Sequence, residues 1–288
     1  MPKTPRGTFL AVLGLLFLGA LPVAAQNAKQ KQNLYDKFQL NLSVTGVILN
    51  SDIRIDGSGG TGTDIDVEDD LGMEKTKIQP RFSLRWRPGR RHELEGGYQW
   101  ARRNADKRLS RDIDFGDSSF TAGADIHSTF NTDLAFLTYR FAFMAKERTQ
   151  IGAALGLGVL FLDVGVAALG TGTGPGAGRS FDVSKSVKGP LGSLGLYGRF
   201  LAGDSWQFEA DFRALKISID RFHPRVLEAG GAARYYFSQK FGLELGYAAS
   251  GIRVVVDPKT FENGSEGIVS GEIKYSLQSI RLGAVFVP

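Results

Sequence analysis

The stretch GEIKYSLQSIRLGAVFVP, residues 271–288, alternates in the manner of a strand that crosses a membrane. Ile280, Leu282, Ala284 and Phe286 form one apolar row, and Ser279, Arg281 and Gly283 form the other. Successive side chains of a strand point to opposite faces, so one face is apolar and the other polar. A soluble sandwich strand can alternate too, and this segment alone leaves both readings open. The rest of the chain separates them.

Residues 1–25 read as a secretory signal. Lys3 and Arg6 give a basic start, Phe9 to Leu21 an apolar run, and Val23-Ala24-Ala25 a small-residue cleavage site. The run is short of the roughly 20 residues a spanning helix needs. Cleavage is expected after Ala25. No Cys follows that site, which excludes a lipid-anchored amino terminus, and with no Cys at all there is no disulfide framework. Beyond the signal, no apolar stretch is long enough for a membrane helix. Any spanning must then be done by closed β-structure, because lipid offers open backbone groups no partner. The formal charge of +5 is scattered along strands and turns beside acids, which argues against nucleic acid as a partner.

After a polar lead-in over 26–35, one domain is expected over 36–288, with ten alternating segments. The first, near 36–55, sets Phe38, Leu40, Leu42 and Val44 against Gln39, Asn41, Ser43 and Thr45. The second, near 76–88, puts Ile78, Phe82, Leu84 and Trp86 outward and Arg81, Arg85 and Arg87 inward; Pro80 should weaken the ladder there. The third has Leu94, Tyr98 and Trp100 outward, with Glu93, Glu95, Gln99 and Arg103 inward. The fourth sets Phe130, Leu134 and Phe136 against Asn131, Asp133 and Ala135. A phase change over Tyr139–Phe143 predicts a bulge or an aromatic girdle. In the fifth, Ile151, Leu155, Leu157, Val159 and Phe161 alternate with Gly152, Ala154, Gly156 and Gly158, leaving room for long charged side chains from across a lumen. The sixth ends in Leu194, Leu196, Gly198 and Phe200. The seventh to ninth place Phe208, Leu227 and Leu243 outward, and Glu209, Glu228, Arg234 and Glu244 inward.

Connections alternate in length. Residues 88–91, 144–148, 202–205 and 238–240 are tight, whereas 56–75, 109–124, 168–184 and 257–267 are long and polar. Asp220 to Pro224 is the exception, a short link on the long-loop side. That parity predicts an all-β, antiparallel transmembrane β-barrel of about ten strands, with eight as the alternative, short periplasmic turns and longer extracellular loops. Trp86, Tyr98, Trp100, Tyr235, Phe237, Tyr247 and Phe286 are the expected interfacial belt.

Three stretches carry a resemblance: Asp64-Ile65-Asp66-Val67-Glu68-Asp69-Asp70-Leu71-Gly72, Arg111-Asp112-Ile113-Asp114-Phe115-Gly116-Asp117, and the closing strand. With them the chain resembles the broad family of small outer-membrane β-barrel proteins, OmpA-type in the wide sense. The likeness implies a monomer in the bacterial outer membrane, in contact with its lipid and lipopolysaccharide. It also implies assembly machinery that reads the C-terminal strand. Val287 and Pro288 follow Phe286 where that family typically ends on an aromatic. The resemblance implies no activity.

The inward charges Arg81, Arg85, Glu95, Arg103, Glu209, Asp211, Arg213, Glu228, Arg234, Glu244 and Arg281 should pair from opposite walls and plug a narrow lumen. Residues 64–70 offer carboxylates to Ca²⁺ or Mg²⁺ but lack the ordered spacing of an EF-hand, and a solvated loop is expected. Of three histidines, His92 adjoins a tight turn, and His127 and Ser128 point to opposite faces. His223 lies near Asp220 and Arg221, which could make a rim acid–base pair, but a lone loop histidine is more often simply solvated. The Gly170–Gly176 run lacks the ending of a phosphate loop, and Asn263-Gly264-Ser265 is a glycosylation acceptor only in eukaryotic secretion. No catalytic, cofactor-binding or metal residue is assigned. The expectation is a non-catalytic outer-membrane protein with a structural or surface-interaction role. The alternatives are a narrow passive channel for small solutes and a lipid-modifying or proteolytic rim enzyme.

Overall fold

The computed structural model describes residues 33–57, 60, 62–168, 181–218, 222–257 and 270–288. The signal segment, residues 26–32 of the lead-in, the Gly170–Gly176 run, Asp220, Arg221 and Asn263–Ser265 lie outside the described residues.

Strands β1 (Phe38–Ile55), β2 (Ile65–Asp66), β3 (Thr76–Gly89), β4 (His92–Arg108), β5 (Ile113–Phe115), β6 (Ser118–Phe120) and β7 (Asp125–Ala145) make up the first half of the described chain. The second half comprises β8 (Thr149–Ala168), β9 (Phe181–Ala202), β10 (Trp206–Lys216), β11 (Phe222–Tyr236), β12 (Phe241–Val256) and β13 (Gly271–Phe286). The long strands pair antiparallel in chain order, and β13 returns to β1 with Phe286 opposite Leu40 and Gly271 opposite Ile55. The result is a closed barrel of ten strands, as the alternation predicts. Closure matters because an open edge has no hydrogen-bond partner in lipid.

The tight links β3–β4, β7–β8, β9–β10 and β11–β12 lie at one end, called here the turn end, with Phe38 and Phe286. Gly203 takes the left-handed conformation that the β9–β10 turn needs, at φ 63°. The long connections lie at the other, loop end. Two of them contain strands that the sequence reading placed in plain loops: β2 within 56–75, and the β5–β6 hairpin within 109–124.

The inward and outward rows are as expected on β1, β3, β4, β8, β10, β11, β12 and β13. On β7 the expectation fails. Phe130, Leu134 and Phe136 share the inward row with Thr138 and Arg140, and Leu137, Tyr139, Phe141 and Phe143 face out. Alternation runs from Ile126 to Phe143, and the bulge predicted over Tyr139–Phe143 lies at the end of that stretch, where the register shifts between Ala142 and Met144. Pro80 acts as expected. Pairing of β3 with β4 begins at Arg81 opposite Gln99, and from Pro80 toward the loop end β3 holds only β1.

One feature governs the interior. Along β1 the inward row is polar from Gln39 to Thr45 and apolar at Val47, Leu49, Ile53 and Ile55, with no slip of register. The outward row inverts at the same level, apolar to Ile48 and polar at Asn50, Asp52 and Arg54. Inversions of the outward face recur at Trp100/Arg102, Ala135/Asp133, Phe161/Asp163 and Gly251/Arg253. The turn-end half therefore has a polar inside and an apolar outside, as a barrel in lipid must. The loop-end half has an apolar inside and a polar outside, as a soluble protein has.

Aromatic rings collect at the turn-end rim of the apolar band. Trp206 stacks on Phe208 at 6.0 Å and meets Tyr235 at 5.0 Å, and Phe241 meets Phe286 at 5.0 Å. Near the inversion level Tyr98 lies against Trp100 at 5.7 Å. The predicted belt residues thus divide between the two margins.

Candidate functional site

The lumen is the candidate site, and it is layered. At the turn end β3, β4, β7, β9, β10, β11 and β12 contribute Arg85, Arg87, Glu93, Glu95, Arg140, Arg199, Glu209, Arg234 and Glu244, all buried. The register builds this layer. Arg85 is opposite Glu95, Glu93 opposite Arg140, Arg199 opposite Glu209, and Arg234 opposite Glu244. Directly opposed side chains on one face are the closest cross-strand neighbours, so each arginine meets an acid on an adjacent strand.

Further contacts extend this layer, and two of them, Glu93–Arg199 and Glu209–Arg85, join non-adjacent strands across the lumen. Glu93, 1% exposed, takes Arg85 Nε at 3.2 Å, Arg87 Nε at 2.5 Å, Arg140 Nη1 at 2.8 Å and Arg199 Nη2 at 2.6 Å. Glu209 takes Arg199 Nε at 3.0 Å, Arg234 Nη1 at 2.7 Å and Arg85 Nη2 at 3.4 Å. Glu244 bridges Arg234 Nε at 2.6 Å and Arg281 Nε at 2.5 Å. The plug expected from the sequence is present, but most of its pairs link neighbouring strands instead of opposite walls. Arg140 and Arg199, absent from the charge set read from sequence, are central to it. The turn end is closed below this layer by Leu34, Tyr236, Val285 and Val287, all buried.

Above the charge layer lies a polar cavity of about 160 Å³, lined among others by Arg81, Gln99, Arg213, Glu228 and Arg281. Arg81 donates to Gln99 Oε1 at 3.1 Å and stacks over Phe136 at 4.2 Å, with Glu95 3.8 Å away. Arg213 pairs with Asp211 at 3.1 Å and Glu228 at 3.3 Å. Arg81 thus borders the cavity, whereas Arg85 and Arg199 are fully buried in the layer below it.

The loop-end half of the lumen is filled by an apolar core. Val47, Leu49, Ile53, Leu162, Val164, Ile252 and Tyr275 from the wall meet Ile65, Val67, Leu71, Met73, Ile113, Phe115 and Phe120 from the long connections. Strand β2 takes the edge of β1 that β3 leaves beyond Ile48, with Ile65 opposite Ile53. Gly116 N donates to Ile55 O at 3.1 Å and ties the β5–β6 hairpin to the end of β1. Gly72, at φ 75°, turns the connection where a Cβ would strike the Lys107 side chain.

This folding overturns the solvated loop expected at 64–70. Ile65, Val67 and Leu71 are fully buried, and Glu68 accepts Arg103 Nη1 at 2.5 Å and Ser51 N at 2.8 Å. Arg103 thus pairs with the β1–β3 connection and not with acids of β10–β12. Asp70 takes Arg111 Nε at 3.0 Å, and that guanidinium holds its carboxyl below the usual carboxylate range. Asp69 pairs with Lys75 at 3.0 Å. Each of these acids has its own cation, and among the described residues no three His, Cys, Asp or Glu side chains converge as metal ligands would.

The histidines lie apart. His92 Nδ1 meets Tyr139 Oη at 2.7 Å on the outer turn-end surface. His127 meets Asp106, its cross-strand neighbour, at 2.7 Å, and Ser128 is buried on the opposite face. His223 Nε2 meets Asp257 Oδ2 at 2.7 Å at the loop-end rim. A depression nearby, of about 370 Å³, is lined by Arg54, Asp56, Asp257, Ser270 and Glu272, and Ser270 Oγ donates to Asp56 at 2.8 Å.

This architecture is found among outer-membrane proteins. The outer membrane protease OmpT from Escherichia coli aligns over 92% of this chain and 100% of its own, with a TM-score of 0.54 at 8% identity. The P. putida toluene transporter TodX aligns at 9% identity over 88% and 90%, with a TM-score of 0.37. Ail, the attachment invasion locus protein of Yersinia pestis, aligns at 11% identity over 87% and 99%, with a TM-score of 0.32. No protein-family model matches the chain, and no curated protein does. The chain has the fold of an outer-membrane β-barrel. At such identities the likeness reaches no further than the fold.

Proposed function

We propose that this protein is a non-catalytic, monomeric barrel of the bacterial outer membrane, closed to solutes, whose loop-end half is a folded surface cap. The filled lumen carries the reading: an Arg–Glu layer crosses one half and an apolar core occupies the other. A solute channel needs a continuous wet path, and an apolar core opposes one. The turn end then faces the periplasm and the cap faces outward, with β13 as the segment offered to the assembly machinery. Two measurements test this. The mature protein should sediment with outer membranes and require detergent for release. Reconstituted in planar bilayers, it should remain silent; steady unitary currents would refute the closed lumen and favour a channel.

A rim hydrolase is the second reading, supported by the His223–Asp257 pair on a fold shared with a protease. Against it, Ser270 is engaged by Asp56 and points to no nucleophile–base contact. Hydrolysis of peptide or lipid substrates that is lost in His223→Ala would establish it.

A further inference from the structure

The lower two-thirds of the lumen, from the turn end to the polar cavity, holds more positive charge than its own acids neutralise. The turn-end layer sets five arginines against four glutamates. The cavity side adds Arg81, Arg213 and Arg281 against Asp211 and Glu228. Asp36, beside Arg87, offsets one of these charges, and among the described residues a surplus cation is left. The segment before Asn33 adds no acid, because residues 1–32 contain neither Asp nor Glu. Guanidinium groups do not deprotonate in proteins, so the surplus cannot be relieved by loss of a proton. With lipid outside and an apolar core above, a bound anion relieves it.

The surplus lies where a small ion can be held. The arginines of the layer are buried, whereas the side chains of Arg81, Arg213 and Arg281 stay 22%, 20% and 23% exposed. All three face inward and line the cavity, so that surface belongs to it. Glu95, 3.8 Å from Arg81, already serves Arg85 at 2.9 Å and Arg140 at 2.7 Å. Glu244, the partner of Arg281, also serves Arg234. Two glycines make room for these cations. A Cβ at Gly246 would come to 3.0 Å from Arg281 Nη2, and one at Gly156 to 3.2 Å from Arg213 Nη1. Arg81 and Arg281 flank β1, opposite Ser43 and Thr45 respectively. Among the described residues Thr45 Oγ1 and Arg85 Nη1, both buried and on residues of the cavity wall, meet no hydrogen-bond partner. A buried donor left unmade is costly, and these two stand beside the surplus charge.

We propose that this cavity binds a free tetrahedral oxyanion of the phosphate or sulfate class, held between Arg81 and Arg281 with Thr45 Oγ1 as a further donor. Guanidinium forks match the spaced oxygens of such an ion better than they match a spherical halide. Arg85 Nη1 meets it from the layer below, and Arg213 from β10. At about 160 Å³ the cavity is several times the roughly 30 Å³ share of one water, which admits an oxyanion. Entry needs no continuous pore. The β3–β4 ladder ends at Arg81 and Gln99, both on the cavity wall, and Trp100 beside them marks the loop-end margin of the apolar band. Past that level β3 and β4 share no ladder, and an ion from the polar outer face enters between them and leaves the same way. Such exchange carries no current across the barrel.

The test is a calorimetric titration of the mature protein, refolded in detergent without phosphate or sulfate, with inorganic phosphate, sulfate and chloride in turn. One saturable oxyanion site per chain is expected, with chloride weaker. Thr45→Val keeps shape and charge and should weaken phosphate about tenfold, the worth of one hydrogen bond to a charged group. Arg81→Gln should weaken it at least as much, and Thr45→Val decides the matter if Arg81→Gln does not fold. Arg253→Gln, on the outer loop-end face, should leave the affinity unchanged. Absence of saturable binding in the parent would overturn the site, as would undiminished affinity in Thr45→Val. Equal affinity for chloride would overturn the oxyanion. Competition by phosphatidylglycerol in the micelle would overturn the free ion and assign the site to a lipid headgroup.

Discussion

Replacing Glu93 by Gln removes one charge from the centre of the turn-end layer while keeping its shape. Glu93 serves four guanidiniums, those of Arg85, Arg87, Arg140 and Arg199. The layer holds five arginines, Arg85, Arg87, Arg140, Arg199 and Arg234, against four glutamates. Adding Arg81 and Arg281 from the cavity side, and Asp36 beside Arg87, leaves cations in excess. Loss of one carboxylate therefore widens an existing imbalance. Removing one partner of a buried pair costs about 3–5 kcal/mol, since the other charge stays buried and uncompensated. Arg85→Met provides the contrast. It reduces the excess, and Glu93, Glu95 and Glu209 each keep at least one other arginine. Its cost is that of hydrogen bonds left unmade, about 1–3 kcal/mol. Urea unfolding in phosphatidylcholine vesicles measures both, with Trp86, Trp100 and Trp206 on the outward face as fluorescent reporters. The reasoning fails if Arg85→Met proves more damaging than Glu93→Gln, or if Glu93→Gln is neutral.

Three further outcomes are expected. Leu243→Arg, on the lipid-facing row, should destabilise the barrel by about 2–4 kcal/mol in the same titration, and a neutral result would mean the facing of β12 is wrong. Phe115→Ala empties a fully buried site in the cap and should cost about 3–5 kcal/mol, seen as faster amide exchange throughout 64–73 and 113–120; unchanged exchange would show that the cap does not pack as a unit. Because Arg111 depresses the Asp70 carboxyl, its stabilisation of the 64–73 connection is complete above the ordinary carboxylate range and is lost as pH falls through the depressed value. Exchange in this segment should then rise on acidification in the parent and change less in Asp70→Asn, whereas identical profiles would remove Asp70 from the account.

Strand identity could be read from the sequence because a period of two is a local property. Ion-pair partners could not, because they depend on register. Arg140 is masked by the apolar run Tyr139–Phe143, whereas the row Leu196, Gly198 and Phe200 already sets Arg199 inward, and only its partners needed the register. The misreading of β7 has a physical cause. The rule that an apolar row faces lipid fails there, because Phe130 and Leu134 belong to the half in which the apolar row faces inward. A signal for that half is present in β1, where the odd-numbered row changes from Gln39, Asn41 and Thr45 to Val47, Leu49 and Ile53 without a slip. The rim position of His223 was readable, but the residue lies in β11 instead of a link, and its partner among the described residues, Asp257, follows the neighbouring strand β12.

The inversion follows from the two solvents outside. Where lipid surrounds the sheet, outward residues must be apolar; an apolar inner row as well would make each strand a continuous hydrophobic segment. Such segments are aggregation hazards wherever a chain is transiently exposed. Polar and charged inner rows avoid this, and the mean hydropathy stays at −0.11 despite an extensive apolar outer band. Their burial must then be compensated, which the register achieves by opposing Arg to Glu on adjacent strands before any contact crosses the lumen. Past the apolar band the outer face meets water and must be polar, so the inner row is free to be apolar, and an apolar core stabilises without matching charges. The long connections of 56–75 and 109–124 are what make that second interior possible, since wall residues alone leave the axis of a ten-stranded barrel unfilled. Ile65, Val67, Leu71, Ile113, Phe115 and Phe120 supply the missing volume. The segments that fill the loop-end interior are thus also segments of its outer surface.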